Sequence, residues 1–339
     1  MLEYLIKRIL MAAVTFLVIL FVSYMLLRIA PGDPTKSSFL GGSPDSAGLS
    51  AEKGAFLKNT TLEKKLFLDK PIPVGFTLWL KNIILHCDFG DSAAVDKGRP
   101  VTTLIMERLP VTLSLNICAV IIIYCLAIPI GIQSAVTKNK VTDQIVTFIL
   151  FFLYSLMSFW VALILQAAFC EGGYFPIFPL TGLQPASTWG KTTWQIIGET
   201  AIHYVLPVAC LSYAGFAGIS RYARAGMLEV VKQDYIRTAR AKGLPEFTIL
   251  TKHALRNAMI ILVTLFAGLL PGLVAGSIVI EVIFNIPGMG TLSMNALSSR
   301  DIPLMMALFA FSGFLTLTGI LIADILYVMI DPRISFKGR

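Results

Sequence analysis

The chain has 339 residues, 56% of them hydrophobic and 14% charged, with a net charge of +8. Soluble domains carry about a quarter charged residues, and a mean hydropathy of +0.76 adds to the contrast, so an ordinary soluble domain is excluded. The basic balance does not require nucleic acid, because lysines and arginines at the ends of membrane helices explain it. The five cysteines are too few for a disulfide scaffold and lack metal-ligand spacing.

The apolar residues fall in long continuous blocks rather than alternating, which excludes a membrane barrel. A helix needs roughly 20 apolar residues to cross the hydrocarbon core. The first block, residues 9–29, follows Lys7 and Arg8. It exceeds the roughly 7–15 apolar residues of a secretory signal, so it reads as a retained helix. Further blocks cover residues 111–136, 145–169, 204–220, 258–283 and 304–330, giving six expected spans.

Charge in the short loops orients the spans. With the N-terminus inside, one side receives Lys7, Arg8, Lys138, Lys140, Arg221, Arg224, Lys232, Arg237, Arg240, Lys242, Lys252, Arg256, Arg333, Lys337 and Arg339. The short loops on the other side hold Lys191 and Arg300. Both termini are therefore expected in the cytoplasm. The division expected is a first span at 1–30, an external segment at 31–108 and a five-helix core at 109–339.

Within the external segment, residues 41–54 are rich in Gly and Ser and read as loop. Residues 73–87 have an apolar face at helical spacing, with Pro73 at a tolerated early position. This helix is expected on the outer membrane surface or against the spans. Cys118, Cys125 and Cys210 read as core residues inside apolar blocks, and Cys87 and Cys170 lie outside the membrane, as free thiols or, if that side is oxidising, as a bridge.

Two apparent motifs fail on context. Gly190-Lys191-Thr192-Thr193 resembles the end of a phosphate-binding loop, but Pro185 stands where the first glycine is needed. Asp88-Phe89-Gly90 matches the kinase metal-binding triplet without its partner loops. No nucleotide site or other cofactor site is expected in this chain. His86, His203 and His253 are far apart and read as structural, as does Asp324 near the inner end of the last span.

In the fifth span, Gly268, Gly272 and Gly276 recur every four residues. In a continuous helix they share one face and admit a second backbone closely. That face suits a contact within the chain equally with a subunit contact or a moving pore helix.

The most informative stretch is 221–257, RYARAGMLEVVKQDYIRTARAKGLPEFTILTKHALRN. Helix-forming residues flank Gly243-Leu244-Pro245, which predicts helix, break, helix. Small Thr238, Ala239 and Ala241 leave room for a partner, and Arg237, Arg240 and Lys242 favour an acidic one. A solvated basic loop would share this composition.

The run from Asp234 to Gly243, DYIRTARAKG, resembles the coupling loop of binding-protein-dependent importer permeases, above all those for oligopeptides and dipeptides. His253-Ala254-Leu255-Arg256-Asn257 continues the likeness. The general pattern has Glu at the position of Arg237 and Pro at that of Arg256. Further matches are Ala30-Pro31-Gly32-Asp33-Pro34, Asp88-Phe89-Gly90 with Ser92, and Arg108-Leu109-Pro110 with Thr112. Pro287-Gly288-Met289-Gly290, Arg300-Asp301 with Pro303, and Asp331-Pro332-Arg333-Ile334 follow in order. Ile320-Leu321 replaces the usual Asn-Leu pair before Asp324, so no role of that asparagine carries over.

The resemblance implies an all-α polytopic membrane bundle of the type I importer permease fold and the first-permease type. It implies a second permease subunit, two cytoplasmic ATPase subunits and an external substrate-binding protein. It assigns ATPase coupling to Glu229, Asp234, Tyr235, Arg237, Thr238, Ala239, Arg240, Lys242, Gly243 and His253. Peptides are the implied substrate class, with nickel and glutathione as alternatives within the family. A self-contained secondary transporter is the alternative from another class, but it calls for inverted repeats or intramembrane ion sites.

Overall fold

The computed structural model describes residues 2–29, 70–86, 88–136, 140–183, 190–255, 257–258, 262, 265, 266, 269 and 272–330. Among these the chain is helical, and extended pairing is confined to two isolated bridges, Asp91 with Pro100 and Cys170 with Phe178. Four helices are long and apolar enough to cross a membrane: Ile6–Leu26, Val101–Val136, Thr193–Val231 and Ile302–Ile322. A fifth candidate is a helix pair, Gln144–Ser155 and Ser158–Phe169, bent by 95°. The expected all-α, membrane-spanning class is therefore correct. The fifth predicted span lies partly outside the described residues.

The described residues group into two compact units. The first draws on Met1–Val111 and Gly288–Thr318, the second on Thr112–Pro287 and Gly319–Arg339.

In the first unit, α1 (Leu2–Ile29) and α2 (Ile72–His86) meet the start of the last helix through an aromatic cluster. Tyr24, Phe76 and Trp79 are buried together with Leu20, Met306 and Ala310. The rings of Tyr24 and Trp79 are 6.0 Å apart, and those of Phe76 and Trp79 6.2 Å. The apolar face of α2 thus packs against other helices, one of the two placements its pattern allowed. A second cluster joins Val101, Leu104 and Ile105 at the start of α3 (Val101–Val136) to Met289, Leu292 and Ala296, and to Leu304 and Ala307.

Residues 88–100 form a turn-rich hairpin in which Ser92 N donates to Arg99 O and Gly98 N to Ser92 O. Fully buried Asp301 ties this hairpin to the start of the last helix.

The second unit is built around one long helix. α4 (Lys140–Ser155) and α5 (Ser158–Phe169) are the two halves of the bent pair, and both pack on α6 (Thr193–Val231). The bend lacks Pro or Gly, yet the carbonyl it frees has a partner: the Tyr213 hydroxyl of α6 donates to Leu156 O at 2.8 Å. A buried backbone acceptor must be satisfied in an apolar medium, and this bond does so at the bend.

α6 runs well past the predicted span at both ends, because hydropathy tracks lipid contact while helix propensity continues into the polar flanks. Thr192 N donates to Gln195 Oε1 at its start, and Pro207 sits inside it.

The close helix contact of this unit uses glycines that the sequence reading passed over. A Cβ added at Gly131 of α3 would lie 2.5 Å from Ala223 Cβ and 2.7 Å from Ser220 O of α6. One added at Gly215 would lie 2.7 Å from Ile123 Cδ1. Buried Ile123, Ala127, Ile219, Ala223 and Leu262 fill this contact.

Cys210 is buried as expected, whereas Cys118 and Cys125 are exposed on α3, contrary to their reading as core residues. Cys170 is a free, buried thiol that donates to Pro179 O; the side chain of Cys87 lies outside the described residues.

Candidate coupling surface and broken fifth span

The predicted helix, break, helix pattern is present. α6 ends at Val231, and α7 (Asp234–Ala241) starts after Gln233. The break follows at Gly243, whose φ of +75° is a left-handed conformation. Only glycine reaches that region without cost. Pro245 then precedes α8 (Glu246–Thr248), which runs into a π-helical turn at Ile249–Ala254. Such turns are rare and concentrate at functional sites.

Two faces of α7 follow from its sequence. Ile236 and Ala239, three residues apart, point inward and pack with Met227, Ile249, Ala254 and Ala258. Asp234, Tyr235, Arg237, Thr238, Arg240 and Lys242 point outward. The expectation for Ala239 is thereby corrected. Only 8% exposed, it fastens α7 to its own chain instead of leaving room for a partner. Its helical spacing to Ile236 puts it on the packed stripe.

The outward face has an ordered polar frame. Arg240 Nη2 and Nε donate to the two oxygens of Glu246 at 2.6 and 3.3 Å. This two-point bond spans the Gly243 turn and raises the Arg240 guanidinium above its ordinary pKa. Asn257 Nδ2 donates to the Tyr235 hydroxyl at 2.7 Å, fixing the ring from the far side of the π-turn. The Arg237–Asp234 pair, 3.5 Å apart and well exposed, is the kind of surface pair that contributes little.

Beside these groups stand three exposed apolar side chains, Tyr235, Leu244 and Phe247, the last 77% exposed. Phe247 lies outside every apolar block, so lipid does not explain its exposure. Exposed apolar groups rimmed by charge mark interaction sites. Sequence reasoning missed Leu244 and Phe247; the available signal was an aromatic residue just after a Gly-Leu-Pro break. Glu229 is exposed on the last turns of α6, and His253 is half-buried in the π-turn.

The fifth predicted span departs most from expectation. Its last part is two short helices, α9 (Gly272–Ala275) and α10 (Ile278–Ile283). Gly276 lies between them with φ +69°, so Gly272 and Gly276 do not share a helix face. Gly268 lies outside the described residues. A Cβ on Gly272 would meet nothing within 4 Å in this chain, which removes the reading of a tight contact there within the chain.

In place of a glycine face, this region holds Glu281, a carboxylate only 2% exposed. Thr112 Oγ1 donates to its Oε1 at 2.9 Å. A lone acid in an apolar run leaves no periodic signal, and the sequence reading passed over it.

Residues 127–336 match the family described as "Binding-protein-dependent transport system inner membrane component". Residues 1–116 match "Binding-prot-dependent transport system membrane comp, N-term". The chain is 38% identical over 337 residues to the oligopeptide transport system permease protein AppB of Bacillus subtilis (strain 168), covering 99% of this chain and 100% of that one. It is 34% identical over 341 residues to the oligopeptide transport system permease protein OppB of Haemophilus influenzae, covering 99% and 100%. It is 32% identical over 363 residues to the peptidoglycan transport system permease protein YejB of Agrobacterium fabrum, covering 99% of each.

With both parts of the family pattern matched in order and several helices able to cross a membrane, the chain belongs to the binding-protein-dependent transport system inner membrane components, the multi-pass permeases of ATP-binding-cassette importers, which work with ATPase and substrate-binding partners.

Proposed function

We propose that the chain forms half of a peptide-translocating pore, paired with a second, related permease, and that two cytoplasmic ATPase subunits drive it. Both termini and residues 221–257 lie on the cytoplasmic side in this reading, and an external binding protein delivers the substrate. The nucleotide is held by the ATPase partners, with no cofactor in this chain.

The observation that carries the reading is the surface around the Gly243 turn. There Phe247, Leu244 and Tyr235 stand exposed beside Arg237, Arg240 and Lys242, outside the apolar spans. To this surface the reading assigns the coupling set of Glu229, Asp234, Tyr235, Arg237, Thr238, Arg240, Lys242, Gly243 and His253, with Ala239 packed beneath α7. An aromatic anchor with a basic rim suits a cleft that is apolar within and acidic at its edge. Peptides as substrate rest on the relatives named for oligopeptide transport.

The mechanism follows from differential binding. ATP-driven closure of the ATPases can switch the pore only by stabilising one pore state over another. α7 is packed onto α6 and the π-turn through Ile236 and Ala239, so force applied at its outer face reaches the spans through a packed contact.

Purification in mild detergent tests the assembly. Two ATPases and a second permease should co-isolate, and Phe247→Ala should weaken ATPase retention at unchanged membrane abundance. A cysteine at position 242 should react with an impermeant reagent only from the cytoplasm, and one at 191 only from outside. Labelling of position 242 from outside intact cells would overturn the orientation and the docking role together.

A further inference from the structure

We infer that Glu281 and Thr112 form a releasable bolt on a short gate helix, α10, and that this bolt holds one state of the pore. The inference rests on the chain being an ATP-coupled permease.

α10 has six residues, Ile278–Ile283, and a left-handed residue lies just beyond each end. Gly276 has φ +69° before it, and Asn285 has φ +47° after it. A non-glycine residue at positive φ is uncommon and marks a turn or strain. Hinges are a few terminal residues that absorb changes in φ and ψ. A short piece between two such joints can rotate by repacking its buried Ile280 and Phe284, with the backbone change absorbed at the joints.

Besides the packing of buried Ile280 and Phe284, polar bonds hold the piece in place. At its outer end, Gln166 Nε2 donates to Ile283 O at 3.1 Å, and Gly182 N donates to Phe284 O at 3.0 Å. His203 Nδ1 lies 3.1 Å from Gly182 O; a carbonyl only accepts, so this nitrogen carries the proton. These bonds tie the end of α10 to the external loop at 170–183.

At its other end sits the bolt. Side chains of a helix lean toward its N-terminus, and Glu281 leans back over the break. Its Oε1 would be 2.6 Å from a Cβ on Gly276, and Thr112 Cγ2 would be 2.8 Å from it. Glycine at 276 thus serves twice: it adopts the positive φ, and it leaves the space in which the carboxylate meets Thr112.

An apolar side chain would fill that space without the cost of burying an acid. Ionisable groups in apolar spans are rare and functional by default. A hydrogen bond made in one position of α10 and lost in the other biases the equilibrium by its own strength. Glu281 is a positioning residue in this scheme: it acts through α10 and need not touch substrate.

The test uses the complete transporter in proteoliposomes and reads ATP hydrolysis without binding protein or peptide. Thr112→Val removes the donor and keeps the shape; Glu281→Leu removes the acceptor; Thr112→Ser keeps the hydroxyl. Removing one bond of roughly 1 kcal/mol from one of two states shifts their ratio about fivefold. Thr112→Val and Glu281→Leu should therefore change this basal hydrolysis by about fivefold per mole of folded complex, while Thr112→Ser stays at the wild-type level.

Unchanged basal hydrolysis in Thr112→Val would overturn the bolt, as would a Thr112→Ser variant that behaves like Thr112→Val. A loss confined to complex yield, with hydrolysis per complex unchanged, would show mere packing and also overturn it. Failure of the wild-type chain to bring down any ATPase would instead refute the coupling reading beneath it.

Discussion

The hydroxyl of Ser92 donates to Asp301 Oδ2 at 2.5 Å across 209 residues of sequence. The same oxygen accepts from the backbone N–H groups of Ala93, Ala94 and Val95 at 3.0, 2.9 and 3.1 Å. Oδ1 accepts from Leu304 N at 3.3 Å, at the start of the last helix, α11 (Ile302–Ile330). One fully buried carboxylate therefore organises a hairpin and caps a helix at once.

Asp301→Ala should be among the most destabilising single changes outside the spans. It orphans several buried donors, each costing about 1–3 kcal/mol when left unpaired. Ser92→Ala removes one donor and should cost about 1–2 kcal/mol. Thermal unfolding of the detergent-purified complex should rank them in that order; equal midpoints would show that water fills the place of the carboxylate.

Gly131 and Gly272 separate packing from free surface. Gly131→Ala drives a methyl into Ala223 and the Ser220 carbonyl, an overpacking that costs about 1–3 kcal/mol. Gly272→Ala meets nothing within 4 Å and should leave thermal stability unchanged. Gly272→Leu then reports on a neighbour: loss of the second permease from an otherwise stable chain would place a subunit contact there.

Gly243 separates conformation from volume. An added Cβ meets nothing within 4 Å, yet φ is +75°. Gly243→Val should strain the turn by about 1–2 kcal/mol, whereas Gly243→Asn, which tolerates this region, should be mild. ATPase retention should fall for Val and hold for Asn. Equal loss in both would mean that the partner presses directly on this position.

Ala239 now serves a different purpose from the one its sequence suggested. Ala239→Asp would bury a charge beside Met227 and Ile249, at a cost of several kcal/mol. It should unfold α7 and expose the π-turn to protease even without any ATPase present. Arg237→Glu, on the exposed face, should leave protease resistance intact and reduce ATPase retention. Comparing the two by limited proteolysis and co-purification assigns each face of α7.

Four of the six long apolar blocks read correctly as continuous helices, because crossing lipid demands continuous hydropathy. The Gly243 break was legible from Gly-Leu-Pro. What hydropathy cannot carry is an interruption made by tertiary partners. The bend after Ser155 has no Pro or Gly to announce it, and its carbonyl is answered by Tyr213 from another helix. The glycine face of the fifth span assumed an unbroken helix; one left-handed residue, Gly276, cancels the period. Glu281 and Phe247 stayed hidden because each is a single residue whose meaning depends on burial, the acid being enclosed and the aromatic exposed. The inward turn of Ala239 depended on where Met227 and Ala254 arrive, which composition around it does not encode.

α6 runs unbroken for 39 residues, a rod about 58 Å long at 1.5 Å per residue. The hydrocarbon layer it crosses is only about 30 Å thick. About a third of the way along, its Tyr204 hydroxyl lies 2.8 Å from that of Ser114, and its far end hands over to α7. A 5° tilt about its middle would carry each tip through roughly 2.5 Å, nearly the full length of a hydrogen bond. Small rotations are therefore geometrically amplified toward the tips, so a modest push where the helix meets α7 is carried as a larger displacement to its far end.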